Sequence, residues 1–158
     1  MKKRINITPE EQPKAYKAMM ALEAYLAQIT LSKTLKELIK IRASQINGCA
    51  FCLDMHSKDL RAKGEPEQRL YVLDAWRDAP FYTERERAAL AWAEAVTKIT
   101  GGNVPDEIYS AARKEFSEEE LIDLTLAVVT INCYNRINIS FRTTAGSYQP
   151  GAFAVQAN

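Results

Sequence analysis

Two capping boxes constrain this chain more than any other feature. Thr83-Glu84-Arg85-Glu86 and Ser117-Glu118-Glu119-Glu120 each set a hydroxyl three residues before a glutamate, ahead of a long run of helical apolar period. They predict a helix over about 83–100, stopped by Gly101-Gly102, and a long one through the apolar run 121–129. The rest of the chain carries signals of the same kind. Pro13 opens a helix to about residue 28, with Met19, Met20, Leu22, Tyr25 and Leu26 near helical spacing. Ser32 can cap a second, to about residue 46, and Asn47-Gly48 breaks it because both residues tolerate positive φ. A third runs over about 49–63 to Gly64, and Pro66 starts a fourth that ends near Trp76. Pro105 opens a short sixth. Val128-Val129-Thr130-Ile131 is β-branched, but it lies inside a longer helical frame. No alternating run claims a strand, so the fold class is all-α, built of helical hairpins.

The 158 residues suit one domain spanning 1–158, with its core over about 15–142. The tail 145–158, rich in Gly, Pro and Gln, is expected to be loosely ordered on its own. Lys and Arg total 21 against 20 Asp and Glu, a balance that gives no electrostatic reason to bind nucleic acid or an acidic membrane. No apolar stretch is long enough to span a bilayer. Met1-Lys2-Lys3-Arg4 is followed by Asn6, Thr8, Glu10 and Glu11 rather than by an apolar segment, so export is not expected and a cytoplasmic location is. The sequon Asn138-Ile139-Ser140 then reads as a chance match. Three cysteines, an odd count, argue against a disulfide framework. In a reducing compartment two close cysteines suggest redox chemistry or metal.

There is a weak internal repeat. The segment from Thr34 to Ile41 resembles that from Ser117 to Leu124. At the same offset Cys49 aligns with Asn132, Cys52 with Asn135 and His56 with Ile139. The second copy keeps the helix and lacks the chemistry.

That chemistry is concentrated in Cys49, Cys52 and His56, spaced by three and then four residues, which sets all three on one face of a helix. Two thiols one turn apart at a helix start can close a disulfide, and the helix N-terminus stabilises a thiolate there. Complete ionisation raises the nucleophile population by roughly 10–30-fold, about 1.4–2 kcal/mol. A lower pKa also lowers intrinsic nucleophilicity. Thiolate population alone is therefore a modest lever. With a peroxide as substrate, the larger need is a proton for the departing alkoxide, and His56 is the single histidine in the chain. If the helices flanking Asn47-Gly48 form an antiparallel hairpin, Glu37 lies ~15 Å from the turn and His56 ~12 Å, at ~1.5 Å per residue. Those heights allow a relay from Glu37 through His56 to Cys52.

The stretch from Glu37 to His56 resembles the core motif of the alkylhydroperoxidase D and carboxymuconolactone decarboxylase superfamily: a Glu, eleven residues, C-x-x-C, three residues, then His. The segments starting at Ser57 and at Thr83 fit as well, and the resemblance covers about residues 15–142. It implies a small all-helical fold that assembles as a homo-oligomer, a trimer or hexamer. It implies that Cys52 attacks a small hydroperoxide and becomes a sulfenic acid, and that Cys49 resolves it to a disulfide. Glu37 and His56 would form the proton relay, and a lipoyl-type dithiol or other thiol protein would be the reductant. No cofactor or metal is assigned; the chain carries no lipoyl- or flavin-binding signature. Phe51 stands where the founding peroxidases carry a second histidine, and the motif falls in the first half of the chain rather than the later half.

Other readings of the same residues stay open. Helix-dipole logic favours Cys49 as nucleophile, while the i,i+4 spacing to His56 favours Cys52. Zinc could use the three residues with Glu37 or Cys133 as a fourth ligand. Glu37 with Thr34 also fits a capping box. Arg42 and Arg142 could contact substrate or lie on solvated faces. Trp76, Trp92, Tyr71, Tyr134 and Phe141 read as core or subunit contacts, and Cys133 as a buried spectator. Two further functions compete with a peroxide reductase: a non-enzymatic redox-sensing oligomer, and a cofactor-free decarboxylase or lactone-processing enzyme on the same scaffold.

Overall fold

The structure, a computed structural model, describes residues 2–153. Among them the elements are all helical: α1 (Pro13–Gln28), α2 (Lys33–Asn47), α3 (Ala50–Ala62), α4 (Glu67–Tyr71), α5 (Glu84–Thr97), α6 (Asp106–Glu115) and α7 (Glu118–Phe141). Both capping boxes form in full. Thr83 Oγ1 accepts from Glu86 N–H and Ser117 Oγ from Glu120 N–H, while each glutamate reaches back to the cap's own N–H. Ser32 caps α2 by accepting Leu35 N–H at 3.1 Å. No described helix is long and apolar enough to cross a membrane.

Helix α2 runs through the centre and packs against α3, α5 and α7. Its fully buried Leu38 and Ile39 serve different clusters. Ile39 joins Leu124, Ala127 and Val128 of α7, whereas Leu38 joins Leu60, Leu73 and Leu90. A helix with neighbours on several sides needs apolar residues on more than one face, and α2 has them.

Two expected elements are corrected. The fourth helix does not continue to Trp76. It ends at Tyr71, and Leu73–Ala75 forms a 3₁₀ turn. The tighter turn aligns positions three apart, bringing both Leu73 and Trp76 into the core. Helix α5 likewise stops at Thr97, followed by a 3₁₀ turn at Ile99–Gly101.

The tail is also not loose through residue 153. Gly146 N–H donates to Asp54 and Gly151 N–H to Asp59, each at 2.9 Å. Lys58 Nζ donates to the carbonyls of Gly146 and Tyr148. Tyr148 is buried, with its hydroxyl on the Asp59 carboxylate. Three charged side chains of α3 thus give this strap the backbone partners it would otherwise take from water. Residues 154–158 lie outside the described residues.

Candidate active site

The site is built on the α2–α3 hairpin. Gly48 ends α2 in the left-handed region, at φ 70°, and Cys49 becomes the N-cap of α3. Its sulfur accepts the N–H of Cys52 at 3.4 Å, taking the part that Ser or Asp usually plays. Cys49 and Cys52 are joined as a disulfide, with Cα atoms 5.4 Å apart. Both are about 1% exposed and pack with Ala43 and Ile131.

One turn beyond Cys52, buried His56 donates Nδ1–H to Glu37 Oε2 at 2.8 Å. This contact requires the two helices to run antiparallel with the heights read from the sequence. Burial opposes ionisation of Glu37. The His56 hydrogen bond and the charges of His56, Lys40 and Lys63 outweigh it, and the carboxyl is held down at about 2. An ionised carboxylate can only accept, so the shared proton sits on Nδ1 and leaves Nε2 for other partners.

Glu37, Cys52 and His56 line one cavity of about 850 Å³, bounded by α1, α2, α3, α7 and both terminal arms. Cys49 lies behind Cys52, outside the cavity wall. The geometry therefore brings together all four residues singled out in the sequence, and of the cysteine pair only Cys52 meets the cavity. The two sulfurs are thus placed differently: Cys49 accepts an N-terminal N–H of α3, and Cys52 faces the cavity.

The structure adds Asn138, whose amide donates to Cys52 Sγ at 3.5 Å from α7. Sequence reading missed it, setting Asn138 aside as part of a chance sequon. A signal was present. Asn132, Asn135 and Asn138 recur every three residues along α7, in a helix interior where asparagine is a poor choice without a partner. The first two, aligned by the repeat with Cys49 and Cys52, accept from Asn47 Nδ2 at 2.9 and 2.8 Å. They donate in turn to Thr97 and Ser44. The positions aligned with the two cysteines thus anchor the end of α2 to α7.

Several alternatives are corrected. Glu37 does not cap α2, because Ser32 does. Arg42 neither lines the cavity nor sits on a solvated face; its Nε donates to buried Glu94 at 2.7 Å. Arg142 closes α7 as its C-cap. Tyr134 and Phe141 line the cavity, while Tyr71 is two-thirds exposed. Cys133 is a partly buried free thiol. Among the described residues no group of three or more His, Cys, Asp and Glu is arranged to hold a metal.

The carboxymuconolactone decarboxylase family model matches residues 13–95, which includes the whole hairpin. The uncharacterized protein YdfG of Bacillus subtilis strain 168 is 47% identical over 138 residues, covering 87% of this chain and 94% of YdfG. A crystal structure of a protein of unknown function from Agrobacterium tumefaciens, named with the AhpD antioxidant defence proteins, superposes with a TM-score of 0.87 at 46% identity. The match covers 93% of this chain and 100% of that one. The debrominase Bmp8 shares the fold, with a TM-score of 0.76 at 22% identity over 87% of this chain and 74% of its own.

Proposed function

The chain belongs to the carboxymuconolactone decarboxylase family, and on that premise we propose that it is a hydroperoxide reductase that cycles Cys49 and Cys52 between dithiol and disulfide. One observation carries the reading: Cys52, alone of the pair, shares a cavity wall with a histidine fixed by an ionised glutamate.

In the reduced enzyme, Nε2 of His56 takes the Cys52 thiol proton, and the resulting imidazolium is balanced by Glu37. The Cys52 thiolate attacks the terminal peroxide oxygen, and the O–O bond breaks. The departing alkoxide takes the proton from His56, giving the alcohol and a sulfenic acid on Cys52. The Cys49 thiol then attacks that sulfur, water leaves, and the disulfide forms. An external dithiol restores the pair by attacking Cys52, the sulfur that meets the cavity. Cys49 leaves as a thiolate into the N–H of Cys52 that already caps it. Overall, hydroperoxide and dithiol give alcohol, water and the partner's disulfide. A slender lipoyl-type arm suits a sulfur reached only through a cavity.

The test is thiol counting by intact mass after stoichiometric tert-butyl hydroperoxide. The parent should lose two thiols rapidly. Cys49→Ser should trap a sulfenic acid on Cys52, and Cys52→Ser should be inert, its Cys49 thiol unchanged. Unchanged thiols in all three proteins over minutes would overturn the proposal.

A further inference from the structure

The cavity is far larger than a small hydroperoxide needs. At about 850 Å³ it stands near the upper end of pockets that enclose drug-sized ligands. Its body is apolar, with Met19 and Met20 of α1, Met55 of α3, and Ile137 and Phe141 of α7 in the wall. Methionine, flexible and polarizable, suits a site that must accept a bending chain.

One end of this cavity is cationic. Because α2 and α3 are antiparallel, Lys33 at the first residue of α2 and Lys63 at the C-cap of α3 lie together at the open end of the hairpin. Both are exposed, and both line the cavity, as do Lys36 and Lys40. The acids that share the cavity are already engaged. Glu23 faces Lys40 at 3.7 Å, Glu37 holds His56, and Asp59 holds the strap. Lys36 donates to the Leu26 carbonyl. Among the described residues neither Lys33 nor Lys63 forms a salt bridge; Lys63 acts on Glu37 only at longer range, so both ammonium groups are left available at the end of an apolar chamber.

The two ends are separated along α3. Cys52 lies eleven residues before Lys63, about 16 Å at ~1.5 Å per residue. We propose that this cavity takes a long-chain amphiphile with an anionic head, its carboxylate at Lys33 and Lys63 and a mid-chain hydroperoxide at Cys52. This names a substrate class for the reductase proposed above and rests on that reading for its chemistry. The reaction is unchanged: the hydroperoxide becomes the alcohol, the cysteine pair is oxidised, and water is released.

Binding and turnover are tested separately. Linoleic acid hydroperoxide, its methyl ester and tert-butyl hydroperoxide are compared as oxidants of the reduced protein, and oleate binding is measured by displacement of a fluorescent fatty acid. Exposed ion pairs are each worth a few-fold, so the acid should be favoured over the ester by about tenfold in KM at low salt. That preference should shrink as ionic strength rises, and it should fall to near unity in a Lys33→Gln, Lys63→Gln double variant. Oleate should displace the probe. Equal KM for acid and ester, or a preference that survives in the double variant, would overturn the amphiphile proposal even where tert-butyl hydroperoxide oxidises the thiols. Oleate binding lost in the double variant, with no thiol loss to any peroxide, would support the site and defeat the reductase reading instead.

Discussion

The side-chain amide of Asn138 on α7 donates to the sulfur of Cys52 on α3 at 3.5 Å. The bond crosses between helices, so in the reduced protein an amide of α7 would face the Cys52 thiolate. A hydrogen bond to a charged group is worth roughly 1.5–3 kcal/mol, and 1.4 kcal/mol is tenfold. In the reduced protein, Asn138→Leu should slow alkylation of Cys52 by iodoacetamide at pH 7 by at least about tenfold, as read by mass spectrometry of the Cys52 peptide. An unchanged rate would mean that Asn138 only fills space.

Glu37 ties stability to acid pH. Its carboxyl titrates at about 2 in the fold, against an ordinary 4.5. As pH falls, the unfolded chain therefore takes up the proton first. The contribution is complete above about pH 4.5, declines below it, and is gone below about pH 2. Such a shift corresponds to about 3 kcal/mol. Urea unfolding should find Glu37→Gln less stable than the parent by about that much at pH 7, with the gap narrowing steadily between pH 4.5 and pH 2. A gap of the same size at pH 3 and pH 7 would sink this account.

The hairpin was readable because its parts are local. Asn47-Gly48 marks the turn, C-x-x-C with His56 marks one face of α3, and helical rise alone sets Glu37 beside His56. The capping boxes were readable for the same reason, since each is complete within four residues. What escaped was set by tertiary contact. Trp76 directly follows a 3₁₀ turn instead of ending a helix, and Glu94, eighteen residues on, takes its indole N–H. Asn138 matters because α7 crosses Cys52, and residues 145–153 are ordered because Asp54, Lys58 and Asp59 face them. In each case the partner is too far along the chain for periodicity or capping to name it.

Glu94 is the most demanding of those long-range partners. Its Oε1 accepts from Arg42 Nε at 2.7 Å and from Trp76 Nε1 at 2.8 Å, and its Oε2 from Arg77 at 2.9 Å. Burial works against its ionisation, and the three donors more than offset that, holding the carboxyl below its ordinary range. Glu94→Leu would leave the Arg42 Nε–H and the Trp76 indole N–H without an acceptor, Arg42 keeping only the bond from its Nη1 to Gln45. Removing one partner of a buried pair costs about 3–5 kcal/mol. Thermal and urea unfolding should show that loss, with Trp fluorescence altered in the native state. By contrast, Arg61→Ala, which breaks the exposed pair with Glu67, should change stability by less than about 1 kcal/mol. Comparable losses in the two variants would contradict the assignment of Glu94 as the junction of α2, α5 and the 3₁₀ turn.

The strap over α3 predicts its own local opening. Tyr148 OH and Gly151 N–H both converge on the Asp59 carboxylate, and Gly146 N–H on Asp54. Two N–H groups held by carboxylates on a helix should exchange slowly with solvent, although they belong to no secondary structure. Asp59→Ala removes the acceptor for two donors at once. Exchange at Gly151 should then accelerate by at least about tenfold, and limited proteolysis should cut after residue 144 sooner than in the parent. Gly146 should be affected less, since Asp54 is intact. Since Thr143, Ser147 and Phe153 of the same segment line the cavity, Cys52 in the reduced variant should react faster with a bulky thiol reagent. If exchange rises while Cys52 reactivity does not change, the strap packs on α3 without governing access to the cavity.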